Sequence, residues 1–143
     1  MNSRVRASSA CLVAMLTAGP ASAQTTREEA LAAVYPGATV RTEQVFLTPS
    51  QQKQVLMRGD TDVPTAFVAR YVATRDGKVV GRAYVDTPTV HTKKDSLLIS
   101  LDAAGQLLRI DVIGATLAAP EVTNAVVRRI RAIDAVLEKR EAR

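Results

Sequence analysis

The tripeptide Gly114-Ala115-Thr116 has the residue types and order in this chain that best suit the binding of an anion. It lies between a predicted strand and a predicted helix. Free backbone N–H groups and the helix dipole at such a junction favour a phosphate. Glycine lets the backbone turn tightly, and the threonine hydroxyl then faces the anion. On the tripeptide alone, a threonine that only caps the following helix is the simpler interpretation.

The rest of the sequence gives little indication of a hydrolytic site or a metal site. His91 is the only histidine, so it alone could serve in a Ser-His-Asp arrangement. No second ligand lies at metal spacing from it. Asp86 and Asp95 form a possible carboxylate pair, but nothing defines their separation. No glycine-rich nucleotide fingerprint follows a predicted strand. We therefore expect no catalytic residue and no metal site.

Residues 1–23 are typical of a secretory signal peptide. A positively charged start precedes a short apolar run, and Ala21-Ser22-Ala23 matches a cleavage site. The run is shorter than the roughly 20 apolar residues that span a bilayer. We expect cleavage near Ala23 and a periplasmic domain of residues 24–143 with no transmembrane segment. Cys11 is the only cysteine and lies in the leader, which excludes disulfides and cysteine-based metal sites from the mature chain.

The chain carries 19 basic and 14 acidic residues, an excess too small to indicate nucleic-acid binding by an exported protein. Much of the basic charge lies near the C-terminus. One interpretation is a solvated helix face, and the other is a docking patch for an acidic redox partner or an anionic lipid. The residues concerned are Arg128, Arg129, Arg131, Lys139, Arg140 and Arg143.

Local signals predict two short helices and a strand in the N-terminal third. Thr26 and Thr48 are each followed three residues later by Glu or Gln, which is the pattern of a capping box. Pro36-Gly37 ends the first helix, and Gly59 ends the second. Between the two helices, residues 40–47 are a plausible strand.

The middle of the chain is predicted to form two hairpins. Asp76-Gly77, between residues 67–74 and 78–85, is a strong two-residue turn signal. In residues 96–102 the apolar Leu97, Ile99 and Leu101 recur at every second position, and this segment pairs through Gly105 with residues 107–112.

Pro120 begins the predicted C-terminal helix, whose apolar stripe has helical spacing. The stripe consists of Val122, Val126, Ile130, Ile133 and Leu137. The order of elements predicts an α+β fold. We expect an antiparallel sheet of four to five strands, packed by the short N-terminal helices and the C-terminal helix and covered on one face.

The segments VYPGATVRTEQVFLTPSQQKQV, DGKVVGRAYVDTPTVHTKKDSLLISLDAAGQLLRIDV and GATLAAPEVTNAVVRRI follow one another in the order of a known family. The chain resembles the FMN-binding domain family, which includes periplasmic flavoprotein subunits of Rnf- and Nqr-type electron-transfer complexes. In that family a flavin transferase esterifies FMN phosphate to the last threonine of a Ser/Thr-Gly-Ala-Thr motif. Thr116 matches that threonine, and Gly114 and Ala115 match the residues before it.

The resemblance implies an electron carrier rather than a stand-alone enzyme. FMN would supply the redox chemistry, and the protein would hold and orient it. Thr116 would carry the phosphate, with the backbone N–H groups of Gly114 and Leu117 as donors. The side chains expected to face the flavin ring are Tyr84, His91, Thr92 and Lys93. The implied partners are a flavin transferase and a membrane or periplasmic redox protein.

The chain departs from the family pattern in two places. Ile113 stands where the family has Ser or Thr, and the family's upstream aspartate is displaced by one position, to Asp111. The family's long insert before the motif is missing here. The alternative is a non-flavin accessory or binding module of an envelope redox complex, with the same fold and a degenerate motif. A third possibility is non-covalent binding of a small phosphorylated ligand.

Overall fold

The computed structural model of the protein describes residues 25–86, 89–90, 93–94, 96–113 and 120–140. These ranges contain three helices and seven strands in an α+β arrangement, which confirms the predicted fold class. In chain order the elements are α1 (Arg27–Val34), β1 (Thr39–Phe46), α2 (Pro49–Gly59), β2 (Phe67–Arg75), β3 (Lys78–Asp86), β4 (Thr89–Val90), β5 (Lys93–Lys94), β6 (Leu97–Asp102), β7 (Leu107–Val112) and α3 (Pro120–Leu137).

Both short helices begin at complete capping boxes. The Thr26 hydroxyl accepts a hydrogen bond from the Glu29 N–H at 3.2 Å, and the Glu29 carboxylate accepts one from the Thr26 N–H at 2.9 Å. Thr48 and Gln51 repeat the arrangement at 3.1 and 2.9 Å. These contacts satisfy N–H groups that a helix start leaves without partners. The predicted starts are confirmed.

The main sheet has the order β1-β2-β3-β6-β7, and every neighbouring pair is antiparallel. Asp76 and Gly77 join β2 to β3 with φ angles of 52° and 74°. Positive φ at both central residues is the requirement of the turn that best matches the twist of a hairpin. Both predicted hairpins are confirmed. Strands β4 and β5 form a separate two-stranded ladder.

Hydrophobic clusters lie on both faces of the sheet. On one face Leu97, Ile99 and Leu101 of β6 pack with α2 and α3, and we call this the α3 face. Leu98 points to the opposite face, where Leu31 of α1 covers it. The expectation that only one face is covered is therefore wrong. Because β6 is apolar at almost every position, both of its faces need cover from water.

Helix α3 packs through the predicted apolar stripe. Val126, Ile130 and Ile133 are buried on the α3 face, and Val122 and Leu137 are partly buried beside them. Three to four residues separate successive members of the stripe, so they share one side of the helix. Its packing against α2 and the sheet confirms the predicted C-terminal helix.

Gly81 allows the ring of Tyr35 to lie close to the sheet on the face opposite α3. A Cβ atom at position 81 would lie 2.3 Å from Tyr35 Cε1 and 2.4 Å from the carbonyl oxygen of Leu101. The buried Tyr35 hydroxyl donates a hydrogen bond of 2.7 Å to that same carbonyl. Burial raises the pKa of Tyr35 to about 12, so the hydroxyl stays protonated and remains a donor.

We expect Gly81→Ala to lower the free energy of unfolding by about 2–3 kcal/mol, because the added methyl group overlaps a ring and a backbone carbonyl. Urea denaturation followed by circular dichroism measures the change. Val79→Ala, on the same strand but 42% exposed, serves as the control and should cost less than about 1 kcal/mol. Equal stabilities of Gly81→Ala and wild type would contradict the packing described here.

Candidate functional site

Two segments that contain most of the predicted site residues leave the same end of the main sheet. Asp86, the last residue of β3, pairs with Leu97 at the start of β6. Leu97 in turn pairs with Val112 at the end of β7. Neighbouring strands lie about 5 Å apart, so Asp86 and Val112 are separated by about 10 Å. Residues 87–95 follow Asp86 and lead back to the sheet at β6. Residues 113–119 follow Val112.

Most of the predicted site residues lie outside the residues that the structure describes. This is the case for Gly114, Ala115, Thr116 and Leu117, and also for His91 and Thr92. Lys93 lies on the two-residue strand β5 and pairs with Val90. The described chain ends at Ile113, whose N–H donates to the Ser96 carbonyl at 2.8 Å, and resumes with α3 at Pro120. In sequence, the motif therefore lies between the end of β7 and the start of α3.

Arg129 holds α3 to this end of the sheet. Its guanidinium group donates two hydrogen bonds to the Asp86 carboxylate, at 2.9 and 3.1 Å, and a third of 3.1 Å to the Asp62 carbonyl. Both side chains of this ion pair are only 11–13% exposed. The interpretation of the C-terminal arginines as a solvated face is therefore wrong for Arg129. Asp86 serves as its partner, and Asp95 lies outside the described residues.

Tyr84 lies in the middle of the α3 face and is fully buried. Its hydroxyl donates a hydrogen bond of 2.6 Å to Asp134 on α3. Burial raises the pKa of Tyr84, which keeps the hydroxyl protonated and able to donate. The predicted role of Tyr84 beside a flavin ring stays a prediction, and in this structure the side chain is part of a network between the sheet and α3.

Asp134 is the centre of that network. Its fully buried carboxylate also accepts a hydrogen bond of 2.7 Å from Arg82 Nε and another from Arg140 Nη2. Arg82 and Arg140 both donate to the Ala103 carbonyl as well, at 2.8 and 3.1 Å. A buried carboxylate is tolerated only when charged or polar donors compensate for lost water. These contacts attach the end of α3 to strand β3 and to the β6–β7 turn.

A second group of ion pairs adjoins the network of Asp134. Arg70 on β2 bridges the carboxylates of Glu43 on β1 and Glu138 after α3, at 2.7 and 2.8 Å. Arg41 also contacts Glu43. The network as a whole pairs carboxylates with guanidinium groups and offers no free nucleophile or base. Its contacts support a structural role rather than a catalytic one.

Two aromatic rings near the same sheet end were missed in the sequence analysis. Phe46 and Phe67 pair across β1 and β2 with their ring centroids 5.3 Å apart, and they are 71% and 40% exposed. Arg70 pairs with Tyr84, which places the start of β2 level with Asp86 at the end of β3. Exposed aromatic pairs offer a stacking surface. Their adjacency depends on the β1–β2 register, which sequence spacing alone does not define.

No protein-family model, curated protein or solved structure matches the chain. None of the three helices in the described ranges has the length and apolar character needed to cross a membrane. The described part of the chain also holds no group of three His, Cys, Asp or Glu side chains arranged around a metal position.

We expect Asp134→Ala to lower the free energy of unfolding by about 3–5 kcal/mol, because it leaves the buried Arg82 and Tyr84 without their acceptor. Tyr84→Phe removes one hydrogen bond and should cost about 1–2 kcal/mol. Urea denaturation at pH 7 measures both. Glu28→Gln, which removes only an exposed ion pair, is the control and should leave stability nearly unchanged. A mild effect of Asp134→Ala would contradict the structural role of the network.

Glu43 should make the fold sensitive to acid. Hydrogen bonds from Arg41 and then Arg70 hold the pKa of Glu43 below its ordinary value of 4.5. A lowered folded-state pKa stabilises the fold above the unfolded value, and this contribution is lost as pH falls through the folded value. We expect urea midpoints of wild type to fall below about pH 4.5 more steeply than those of Glu43→Gln. Parallel curves for the two proteins would exclude this contribution.

Proposed function

We propose that this chain is an exported, periplasmic FMN-binding electron-transfer protein with FMN phosphate esterified to Thr116. The observation that carries the proposal is the shared register of Asp86, Leu97 and Val112 at one end of the sheet. Because of this register, the segment with His91 and the segment with Thr116 leave the sheet side by side. Residues so far apart in sequence then have the opportunity to contact one ligand.

The residues around the motif suit a phosphate ester. Thr116 supplies the hydroxyl oxygen, and the backbone N–H groups of Gly114 and Leu117 are the proposed donors to the phosphate. The small Ala115 leaves the approach uncrowded, and the start of α3 adds a favourable dipole. His91, Thr92 and Lys93 are the proposed neighbours of the ring. FMN, when bound, supplies the redox chemistry of the carrier.

A second candidate function is a non-flavin accessory module of an envelope redox complex. It is favoured by the direct passage from β7 into the motif: β7 ends at Val112, and the Ile113 N–H still bonds to the Ser96 carbonyl. No chain is left there for the insert that the FMN-binding family places before its motif. Tyr84, bound to Asp134, also has a structural role that needs no flavin.

The deciding measurement is the intact mass of the protein purified from its own periplasm. Wild type should carry the mass of one FMN less water, and Thr116→Ala should lack it. Thr42→Ala, at an exposed position on β1, is the matched control and should keep the added mass. The same spectrum reports whether the mature chain begins near Gln24.

An unmodified wild-type chain, from cells whose flavin transferase modifies another exported protein, would contradict the covalent proposal and favour the accessory module. An adduct that persists in Thr116→Ala would contradict the assigned residue.

A further inference from the structure

A groove lined with arginines runs between α2, α3 and the turn that joins β6 to β7. We define it by Arg58, Arg128 and Arg131, which are exposed, and call it the arginine groove. Its volume is about 1150 Å³. It reaches the β6–β7 turn, at the opposite end of the sheet from Val112. The six residues of β7 separate the two ends by about 20 Å.

The positive charge of the arginine groove is not neutralised within the described chain. Arg58 and Arg128 form no ion pair there, and the hydrogen bonds of Arg131 go to the neutral oxygens of Gly105 and Gln106, at 3.3 and 3.4 Å. Elsewhere in the fold, buried guanidinium groups face carboxylates. Two or three uncompensated guanidinium groups side by side repel one another, and an acidic partner would remove that repulsion.

Close packing of two helices brings these arginines together. A Cβ atom on Gly59 would lie 3.2 Å from Ala132 Cβ and 3.2 Å from the Arg128 carbonyl oxygen. Glycine at the end of α2 therefore lets α2 approach α3 closely. Arg58, which precedes Gly59, and Arg128 both line the groove. The packing of α2 against α3 thus forms two sides of the groove, and the β6–β7 turn forms the third.

The arginines and the exposed methionine of the arginine groove are typical of a protein-binding surface. Its described lining contains four arginines and Met57, which is 84% exposed, and contains no Lys, Asp or Glu. Protein interfaces are enriched in Arg and Met and depleted in Lys, Asp, Glu, Ser and Ala, so the lining fits this composition except for its three alanines. Enclosed small-molecule sites are typically smaller, about 300–1,000 Å³, and lined mainly by apolar side chains. The size, charge and exposed methionine favour an extended partner.

We propose that the arginine groove docks an acidic segment of a partner protein. Carboxylates of the segment pair with Arg58, Arg128 and Arg131, since the planar guanidinium group matches a carboxylate in a two-pronged hydrogen bond. Met57 provides an apolar contact at the rim. The inference goes beyond electron transfer: it concerns the opposite end of the molecule and holds whether or not Thr116 carries FMN.

The test measures binding of a fluorescein-labelled octaglutamate peptide to the purified mature protein by fluorescence anisotropy at low ionic strength. Arg58→Gln/Arg128→Gln should weaken binding by about tenfold or more, because two contacts with carboxylates are lost. Lys53→Gln/Lys78→Gln, which removes the same charge from exposed positions outside the groove, should change it by less than about threefold. Met57→Ser should weaken binding without any change of charge.

Three results would overturn the proposal. Equal losses in the two double variants would show that only net charge matters. Tighter binding of inorganic tripolyphosphate than of octaglutamate, lost in Arg58→Gln/Arg128→Gln, would assign the groove to a phosphate ligand. Binding to vesicles of anionic lipid with the same dependence on Arg58 and Arg128, and none to the peptide, would assign it to a membrane surface. Thermal melting verifies that each variant is folded.

Discussion

The burial of the Asp134 carboxylate is the constraint on which the arrangement of this fold depends. A carboxylate without access to water needs strong donors, and Asp134 receives them from Arg82 and Tyr84 on β3 and from Arg140 after α3. Apolar packing alone would let α3 slide or rotate over the sheet, because it is not directional. The charged contacts select one position of the helix, and that position determines where α3 begins and which of its side chains face solvent.

With α3 held in this way, the two ends of the sheet become chemically different. At one end the Arg129–Asp86 ion pair holds α3 beside the strand ends from which residues 87–95 and 113–119 depart. At the other end, near the β6–β7 turn, the arginines of the arginine groove are exposed. Arginines one or two residues apart on α3 thus have opposite roles: Arg129 is neutralised in the interior, whereas Arg128 and Arg131 carry their charge at the surface.

Elements defined by neighbouring residues could be predicted from the sequence. The capping boxes at Thr26 and Thr48 and the Asp76-Gly77 turn depend on contacts within a few residues, and the structure agrees with them. The network of Asp134 could not be predicted, since its partners on β3 lie about 50 residues away in sequence. The Phe46–Phe67 pair and the arginine groove escaped prediction for the same reason: strand register and helix packing bring those side chains together. For the candidate site, the motif could be read from the sequence. The sheet adds only the positions at which the two segments of the site begin.

The contact among Tyr35, Gly81 and Leu101 has a consequence for how this sequence can vary in evolution. Position 81 is closed to every side chain by both a ring and a backbone carbonyl, so replacing Tyr35 alone does not open it. Gly81 should therefore be retained because of the carbonyl, and Tyr35 because its buried hydroxyl bonds to that carbonyl, whereas exposed neighbours such as Lys78 and Val79 can vary. A glycine in the second strand of a hairpin, with a tyrosine 46 positions earlier at the end of a short helix, is then a signature by which diverged relatives of this fold are recognisable after overall similarity has faded.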